Sequence, residues 1–172
     1  MNLNDTDFEL FDVPATFAQD RAALDARWKQ LQREAHPDRF AAQGAAAQRV
    51  AMQWSVRINE AYQRLKDPIK RATYLCALNG SPIEAQNNTT MPADFLMQQM
   101  EWREELDDVR DEAGADKLRD EVDASRARAL SSLDSLIDQK GDYAAAARQV
   151  RALMFIERFA EDIDAKTAQW GQ

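Results

Sequence analysis

The sequence has few residues that break helices or cross-link a chain. Its 172 residues include five glycines, five prolines and one cysteine, Cys76. A single cysteine excludes an intrachain disulfide and a thiolate metal cluster, and on an apolar stretch it is most often a small core residue. We therefore expect no metal and no cofactor, and we expect a reducing compartment, the cytoplasm.

Long apolar runs are also missing. No stretch approaches the roughly 18 consecutive apolar residues that a membrane-spanning helix needs. The first ten residues, MNLNDTDFEL, are acidic and lack the basic-then-apolar layout of a secretion signal. The sequence therefore argues against a membrane protein.

Positive charge is in the minority, but it is concentrated in one part of the chain. The net charge is −8, yet residues 21–74 carry eleven basic and five acidic side chains, whereas residues 92–113 carry eight acidic and two basic ones. Two blocks of opposite sign suggest two surfaces with different partners. Two alternatives stay open from charge alone. One is ordinary solvated helix faces. The other is a helical interaction or nucleic-acid-binding protein that uses the basic 21–74 surface, although the acidic net charge opposes binding to phosphates.

Apolar residues recur at helical spacing in the first half of the chain. A short apolar turn at 8–14 is followed by two long stripes, which consist of Leu24, Trp28, Leu31 and Ala35 and of Val50, Trp54, Ile58, Ala61, Tyr62 and Leu65. Pro37 should end the first of these helices, because it disfavours the helical conformation of the preceding residue. Two long helices joined by a loop near 36–46 are expected to pack as an antiparallel hairpin. Asp67-Pro68 should begin a further helix, which ends at the Asn-Gly pair 79–80.

The second half shows three more helical patterns after a stretch rich in turn-forming residues. We interpret 79–91 as a linker, followed by a helix from Pro92, a break at AGAD (113–116), a second helix, a turn at 140–142 with Asp142 as N-cap, and a last helix to about Ala165. No strand pattern is present. The sequence therefore predicts an all-α fold, with an N-terminal helical domain at 1–78, the linker at 79–91 and a C-terminal three-helix bundle at 92–172.

The only histidine lies in the predicted hairpin loop, in the tripeptide His36-Pro37-Asp38. Pro37 has a fixed φ, so the loop should present an imidazole and a carboxylate in a restricted geometry to a partner. The basic residues around the loop, which could steer an acidic partner, are Arg27, Lys29, Arg33 and Arg39. A loop that merely ends a helix is the plainer reading of the tripeptide. An enzyme with His36 as general base fails, because no nucleophile, second titrating group or phosphate loop accompanies it.

The tripeptide in this context resembles the J-domain family of co-chaperones. The resemblance rests on a short first helix, a basic second helix, HPD in the loop, a third helix with INEAYQRLKDP and a fourth that begins IKRATYL. It implies that 1–78 is a J-domain and that the loop, with Arg27, Lys29, Arg33 and Arg39, binds a chaperone.

The rest of the chain resembles the HscB family of J-type co-chaperones, through ADFLMQQMEWREELDDVRDEA (93–113) and RALMFIERF (151–159). The N-terminal CxxC zinc extension of some eukaryotic relatives is absent, as expected of a bacterial form. The resemblance implies a monomeric, non-enzymatic activator that stimulates the ATPase of a DnaK-like chaperone, HscA. It also implies that the bundle delivers the iron–sulfur scaffold protein IscU to HscA, in support of iron–sulfur protein maturation.

The acidic helix from Pro92 carries apolar residues on two faces. With 100° of rotation per residue, Trp102, Leu106 and Val109 lie within about 40° of Phe95 and should face the core. Leu96, Met97 and Met100 lie mostly on the other side, together with Glu101, Glu104 and Asp108. An apolar patch with an acidic rim is typical of a docking surface, although packing on a neighbouring element is an alternative. The resemblance makes these six residues the scaffold-binding surface, with Phe155 as a further member.

Overall fold

The computed structural model describes residues 2–83 and 89–171, and within these ranges it contains helices and no strand. The helices are α1 (Asp7–Phe11), α2 (Arg21–Glu34), α3 (Ala45–Lys66), α4 (Pro68–Leu78), α5 (Ala93–Asp108), α6 (Glu112–Asp134) and α7 (Tyr143–Ala168). A 3₁₀ segment, Pro37–Gln43, lies between α2 and α3, and a π-helical turn, Ser135–Gln139, extends α6. The predicted all-α fold is confirmed.

The chain divides into two compact units, Met1–Leu75 and Cys76–Gln172. The division falls inside α4, a few residues before the predicted boundary at 78. Part of the predicted linker, residues 84–88, lies outside the described residues. The predicted limits 1–78, 79–91 and 92–172 therefore stay a prediction.

Helices α2 and α3 form the antiparallel hairpin of the first unit. The Trp28 indole stacks on Tyr62 with 4.7 Å between ring centroids and donates a hydrogen bond to Asn59. One turn further along α2, Gln32 donates to the carbonyl of Ser55, one turn earlier in α3. Contacts in which the residue number increases along one helix while it decreases along the other define an antiparallel pair.

Helix α1 is only five residues long and is held in place by a buried ion cluster. The carboxylate of Asp7 is fully buried and meets the guanidinium groups of Arg57, at 2.8 Å, and Arg64, at 2.6 Å. The backbone N–H of Asp7 donates to the hydroxyl of Tyr74 in α4. A helix this short gains little from its own hydrogen bonds, so these tertiary contacts and the buried Phe8 account for its position.

Two predictions about the second unit and the hairpin are wrong. The break expected at 113–116 lies inside α6, and the chain turns instead at 109–111, because the side chain of Asp111 caps the helix by accepting from the N–H of Gly114. In the hairpin, Val50 falls on the apolar stripe that the sequence pattern predicts for α3, but it is 52% exposed, because it lines an open cleft with Phe40 and Trp54 instead of packing in the core.

The second unit is an up–down–up bundle. Helix α7 runs parallel to α5, since Phe95 meets Phe155 and Trp102 stacks on Phe159. It runs antiparallel to α6, where Arg119 pairs with Asp164 and Arg126 with Glu157. The predicted N-cap of α7 is confirmed, because Asp142 accepts from the N–H of Ala145.

A buried arginine ties the chain segment before α5 to the bundle. Arg151 of α7 donates to the carbonyl oxygens of Ile83, at 3.3 Å, and Thr90, at 2.9 Å. The nearby Cys76 is fully buried, and its thiol contacts the carbonyl of Tyr143. Burial raises the pKa of this thiol to about 11, and the charge of Arg151 offsets only part of that effect.

Candidate functional site

The candidate chaperone-binding site is the tip of the α2–α3 hairpin. Helix α2 ends at Glu34, Ala35 closes it, and His36 is extended at φ −63° and ψ 129° before the 3₁₀ segment. This is the conformation that a following proline favours. The sequence therefore places the tripeptide outside both helices, at the point where the chain reverses.

His36 and Asp38 offer complementary hydrogen-bonding groups at this tip. The Nδ1 atom of His36 accepts the backbone N–H of Asp38 at 3.2 Å, which assigns the proton of the neutral ring to Nε2. The side chains of His36 and Asp38 are 55% and 91% exposed. The tip thus presents one N–H donor and one carboxylate acceptor to an approaching partner.

The predicted basic residues are not equally placed. Lys29, Arg33 and Arg39 are exposed, and Arg39 donates to the carbonyl of Arg33 at the end of α2. A cation at a helix C-terminus is favoured by the helix dipole. Arg27 is half-buried, and its guanidinium points to the carbonyl of Leu10 at 3.4 Å. Arg27 therefore supports the packing of α1, and the exposed positive charge lies nearer the tip.

The candidate scaffold-binding site is the outer face of α5. Leu96, Met97 and Met100 are 57%, 69% and 68% exposed, an unusual degree for large apolar side chains of one helix. Trp102 on the opposite face is buried, and it is stacked on Phe159 with 5.5 Å between centroids. The anchoring of Trp102 in the core fixes the rotation of α5 and turns the three apolar residues outward.

Acidic side chains border this patch. Glu101, Glu104 and Asp108 are all exposed, as the 100° rotation predicted. The neighbouring Glu105 has its pKa raised, first by burial and then by the charge of Glu121 on α6. Two carboxylates in such proximity deepen the negative potential at this end of α5.

Phe155, the further residue expected in the patch, lies beside the core face of α5. It is half-buried, and it contacts Phe95 edge-on with 5.6 Å between centroids and stacks on Phe159 at 5.9 Å. The guanidinium of Arg103 lies 5.5 Å from its ring centroid and also pairs with Asp162. Sequence reasoning missed Arg103 as the residue that fixes the Phe155 ring, because a cation–π contact between α5 and α7 leaves no local pattern.

None of the helices in 2–83 and 89–171 is long and apolar enough to cross a membrane. No group of three or more His, Cys, Asp or Glu side chains in the same ranges could hold a metal ion.

The chain matches known proteins over almost its full length. The co-chaperone protein HscB homolog of Burkholderia multivorans is 52% identical over 170 residues, which cover 96% of each chain. This chain belongs to the HscB family of co-chaperones. The family model described as the HSCB C-terminal oligomerisation domain matches residues 91–164. The monomer expected from the sequence stays a prediction.

Solved HscB structures confirm the predicted architecture. The chaperone HscB from Vibrio cholerae superposes with a TM-score of 0.80 at 36% identity and covers 96% of this chain and 99% of its own. Human co-chaperone HscB superposes with a TM-score of 0.87 at 28% identity, over 97% of this chain and 84% of its own. This HscB-family chain therefore combines an N-terminal J-domain with a C-terminal three-helix bundle and acts as a co-chaperone.

Proposed function

We propose that this HscB-family co-chaperone stimulates the ATPase of a DnaK-like chaperone, HscA, and delivers the iron–sulfur scaffold IscU to it. In this role it takes part in iron–sulfur protein maturation in the cytoplasm, as a monomer and without catalytic residues of its own. The observation that carries the proposal is the pairing of two exposed sites of different chemistry, one in each compact unit.

The hairpin tip suits the chaperone. His36 offers a donor and Asp38 a carboxylate, and an arginine or backbone amides of the partner could bind both in a fixed arrangement. The exposed Lys29, Arg33 and Arg39 suit an acidic partner surface, which they would steer toward the tip.

The outer face of α5 suits the scaffold. Leu96, Met97 and Met100 offer apolar area that becomes buried on binding, and methionine side chains adapt to the shape of a partner. The acidic rim would orient the bound scaffold and favour basic residues on it. The rim consists of Glu101, Glu104 and Asp108. The half-buried Phe155 extends this proposed surface toward α7.

The test is an ATPase assay with purified HscA. We expect this protein to raise steady-state ATP turnover, and IscU to raise it further in the presence of this protein. No stimulation by this protein over a range of concentrations would show that the J-domain does not act on HscA. Retention on heparin that salt abolishes, without any ATPase effect, would favour a nucleic-acid-binding role of the basic surface instead.

A further inference from the structure

A cleft opens at the tip of the hairpin, next to the His36-Pro37-Asp38 loop. Its volume is about 420 Å³, within the range of roughly 300–1,000 Å³ that is typical of ligand-binding clefts. Six apolar residues line most of it, namely Ala35, Phe40, Ala47, Val50, Ala51 and Trp54. The remaining lining residues are Glu34 and Gln43.

The cleft exists because the local sequence does not fill the end of the hairpin. Helix α3 begins with three alanines, Ala45 to Ala47, whose side chains are too short to reach across to α2. The 3₁₀ segment Pro37–Gln43 has no buried residue, and its Phe40 is only half-buried. Val50 is 52% exposed and Trp54 is half-buried. Apolar surface thus stays in contact with water beside the proposed chaperone-binding loop.

The cleft and the loop are parts of one continuous surface. Ala35 directly precedes His36, and Phe40 follows Asp38 by two residues. A partner that contacts His36 and Asp38 therefore lies beside the cleft. Arg33 and Arg39 are exposed next to it, whereas Glu34 is its one acidic lining residue. The chemistry favours an apolar occupant whose neighbours are acidic.

We propose that the cleft receives apolar side chains from a short segment of the DnaK-like chaperone that also carries acidic residues. This inference rests on the proposed function, because it takes the chaperone as the partner of the loop. It assigns different tasks to the two parts of the tip. The apolar cleft supplies affinity, and His36 and Asp38 supply the signal that activates ATP hydrolysis.

The experiment compares two valines of α3 that are almost equally exposed. Val50 lines the cleft, whereas Val56, 50% exposed against 52% for Val50, does not. The variants are Val50→Ser, the control Val56→Ser and Ala47→Leu, which fills part of the cleft. Each is titrated against HscA while ATP turnover is measured, and its melting temperature is recorded. Val50 and Val56 are exposed and Ala47 is half-buried, so we expect these changes to cause little loss of stability.

For Val50→Ser and Ala47→Leu we expect the half-maximal concentration to rise by about three- to tenfold, with the maximal stimulation unchanged. A single apolar side chain that becomes buried contributes on this scale. Val56→Ser should match the wild type. A half-maximal concentration that is unchanged or lower in either cleft variant, with a melting temperature close to that of the wild type, overturns the proposal.

Two other results of these experiments would lead to different conclusions. If the wild type fails to stimulate HscA at all, the proposed function itself is wrong. Sedimentation of the protein alone tests whether a second copy of this chain occupies the cleft. Self-association that Val50→Ser abolishes and Val56→Ser does not would assign the cleft to that contact and overturn the proposal.

Discussion

At the scale of single residues, His36 and Asp38 depend on the fold in different ways. His36 makes a local hydrogen bond through Nδ1 and keeps Nε2 for a partner, whereas the Asp38 carboxylate is almost fully exposed. Neither side chain contributes to the core. In the proposed function their identity matters for recognition of HscA, and we expect it to matter hardly at all for stability.

We predict that His36→Gln removes the stimulation of the HscA ATPase and leaves the melting temperature unchanged. Glutamine keeps polar atoms at this position but not the geometry of the imidazole. The measurements are steady-state ATP turnover and thermal unfolding by circular dichroism. Full stimulation by the variant would remove His36 from the proposed site, and a large drop in melting temperature would give it a structural role.

Cys76 is the opposite case, a chemically reactive residue type in an inert environment. It is fully buried, and burial raises the pKa of its thiol to about 11. At pH 8 only about one molecule in a thousand then carries the reactive thiolate. We predict that iodoacetamide modifies the native protein far more slowly than the same protein in denaturant, as measured by mass spectrometry. Equal rates in both conditions would show that Cys76 is accessible in the folded state.

At the scale of helices, α5 shows what a sequence pattern can predict. The 100° rotation correctly assigned Trp102 to the core and Leu96, Met97 and Met100 to the outside, because one helix keeps its own geometry. The same reasoning failed at Val50, since periodicity gives the direction of a side chain and cannot tell whether another element covers it.

Side chains that bond across the sequence were also beyond prediction. Asp7 looked like one acid in an acidic N-terminus, but it is buried between two arginines of α3, 50 or more residues away. The false break at 113–116 has a local cause. Gly114 suggests a turn, whereas its N–H donates to the capping carboxylate of Asp111 within the first turn of α6.

For α5 we predict that the triple variant Leu96→Ala, Met97→Ala, Met100→Ala weakens IscU binding by at least about tenfold. Full burial of each side chain could contribute roughly 1.5–3 kcal/mol, and 1.4 kcal/mol already gives a factor of ten. Alanine favours the helix, so the fold should persist. Isothermal titration calorimetry measures the affinity, and circular dichroism measures the helix content.

The control for this triple variant is Met52→Ala, Val56→Ala, Leu78→Ala, since these side chains are similarly exposed on other helices. It should bind IscU like the wild type. Basal stimulation of HscA should survive in both triple variants. An unchanged affinity with unchanged helix content would mean that the outer face of α5 is not the scaffold-binding surface.

For α1 we predict that Asp7→Ala destabilises the J-domain by about 3 kcal/mol or more. The change leaves Arg57 and Arg64 without their shared buried carboxylate, and the loss of one partner of a buried ion pair typically costs about 3–5 kcal/mol. Urea unfolding measures the difference. Asp5→Ala is the control, because among the described residues its carboxylate bonds only the exposed N–H of Asn2. A loss below about 1 kcal/mol in Asp7→Ala would contradict the role given to the ion cluster.

At the scale of the whole molecule, the segregation of charge separates the two sites by their chemistry. The chain has a net charge of −8, but most of the exposed charged residues near the hairpin tip are basic and most of those on α5 are acidic. Each surface therefore attracts a partner of opposite charge and repels one of like charge. The basic block at 21–74 and the acidic block at 92–113 could be predicted from the sequence, whereas the half-buried position of Arg27 could not.

We predict that Lys29→Glu, Arg33→Glu slows association with HscA and that added salt slows the wild type in the same direction. Long-range attraction between exposed charges is screened over about 10 Å at 0.1 M salt. Stopped-flow measurements give the association rate at several salt concentrations. Arg128→Glu, Arg158→Glu is the control, since both arginines are exposed in the other unit. Electrostatic steering would be refuted by an association rate that changes neither with added salt nor in the Lys29→Glu, Arg33→Glu variant.

The two hydrogen bonds of Arg151 suggest where the protein could be extended by engineering. One guanidinium holds the carbonyls of Ile83 and Thr90, so these two residues are fixed at one point of the bundle. The entropy cost of joining two fixed points by a flexible segment grows only logarithmically, by about 0.6 kcal/mol for each doubling of the segment's length. A peptide tag or a fluorescent protein inserted between Ile83 and Thr90 should therefore leave both proposed partner-binding surfaces intact and report on their encounters inside a living cell.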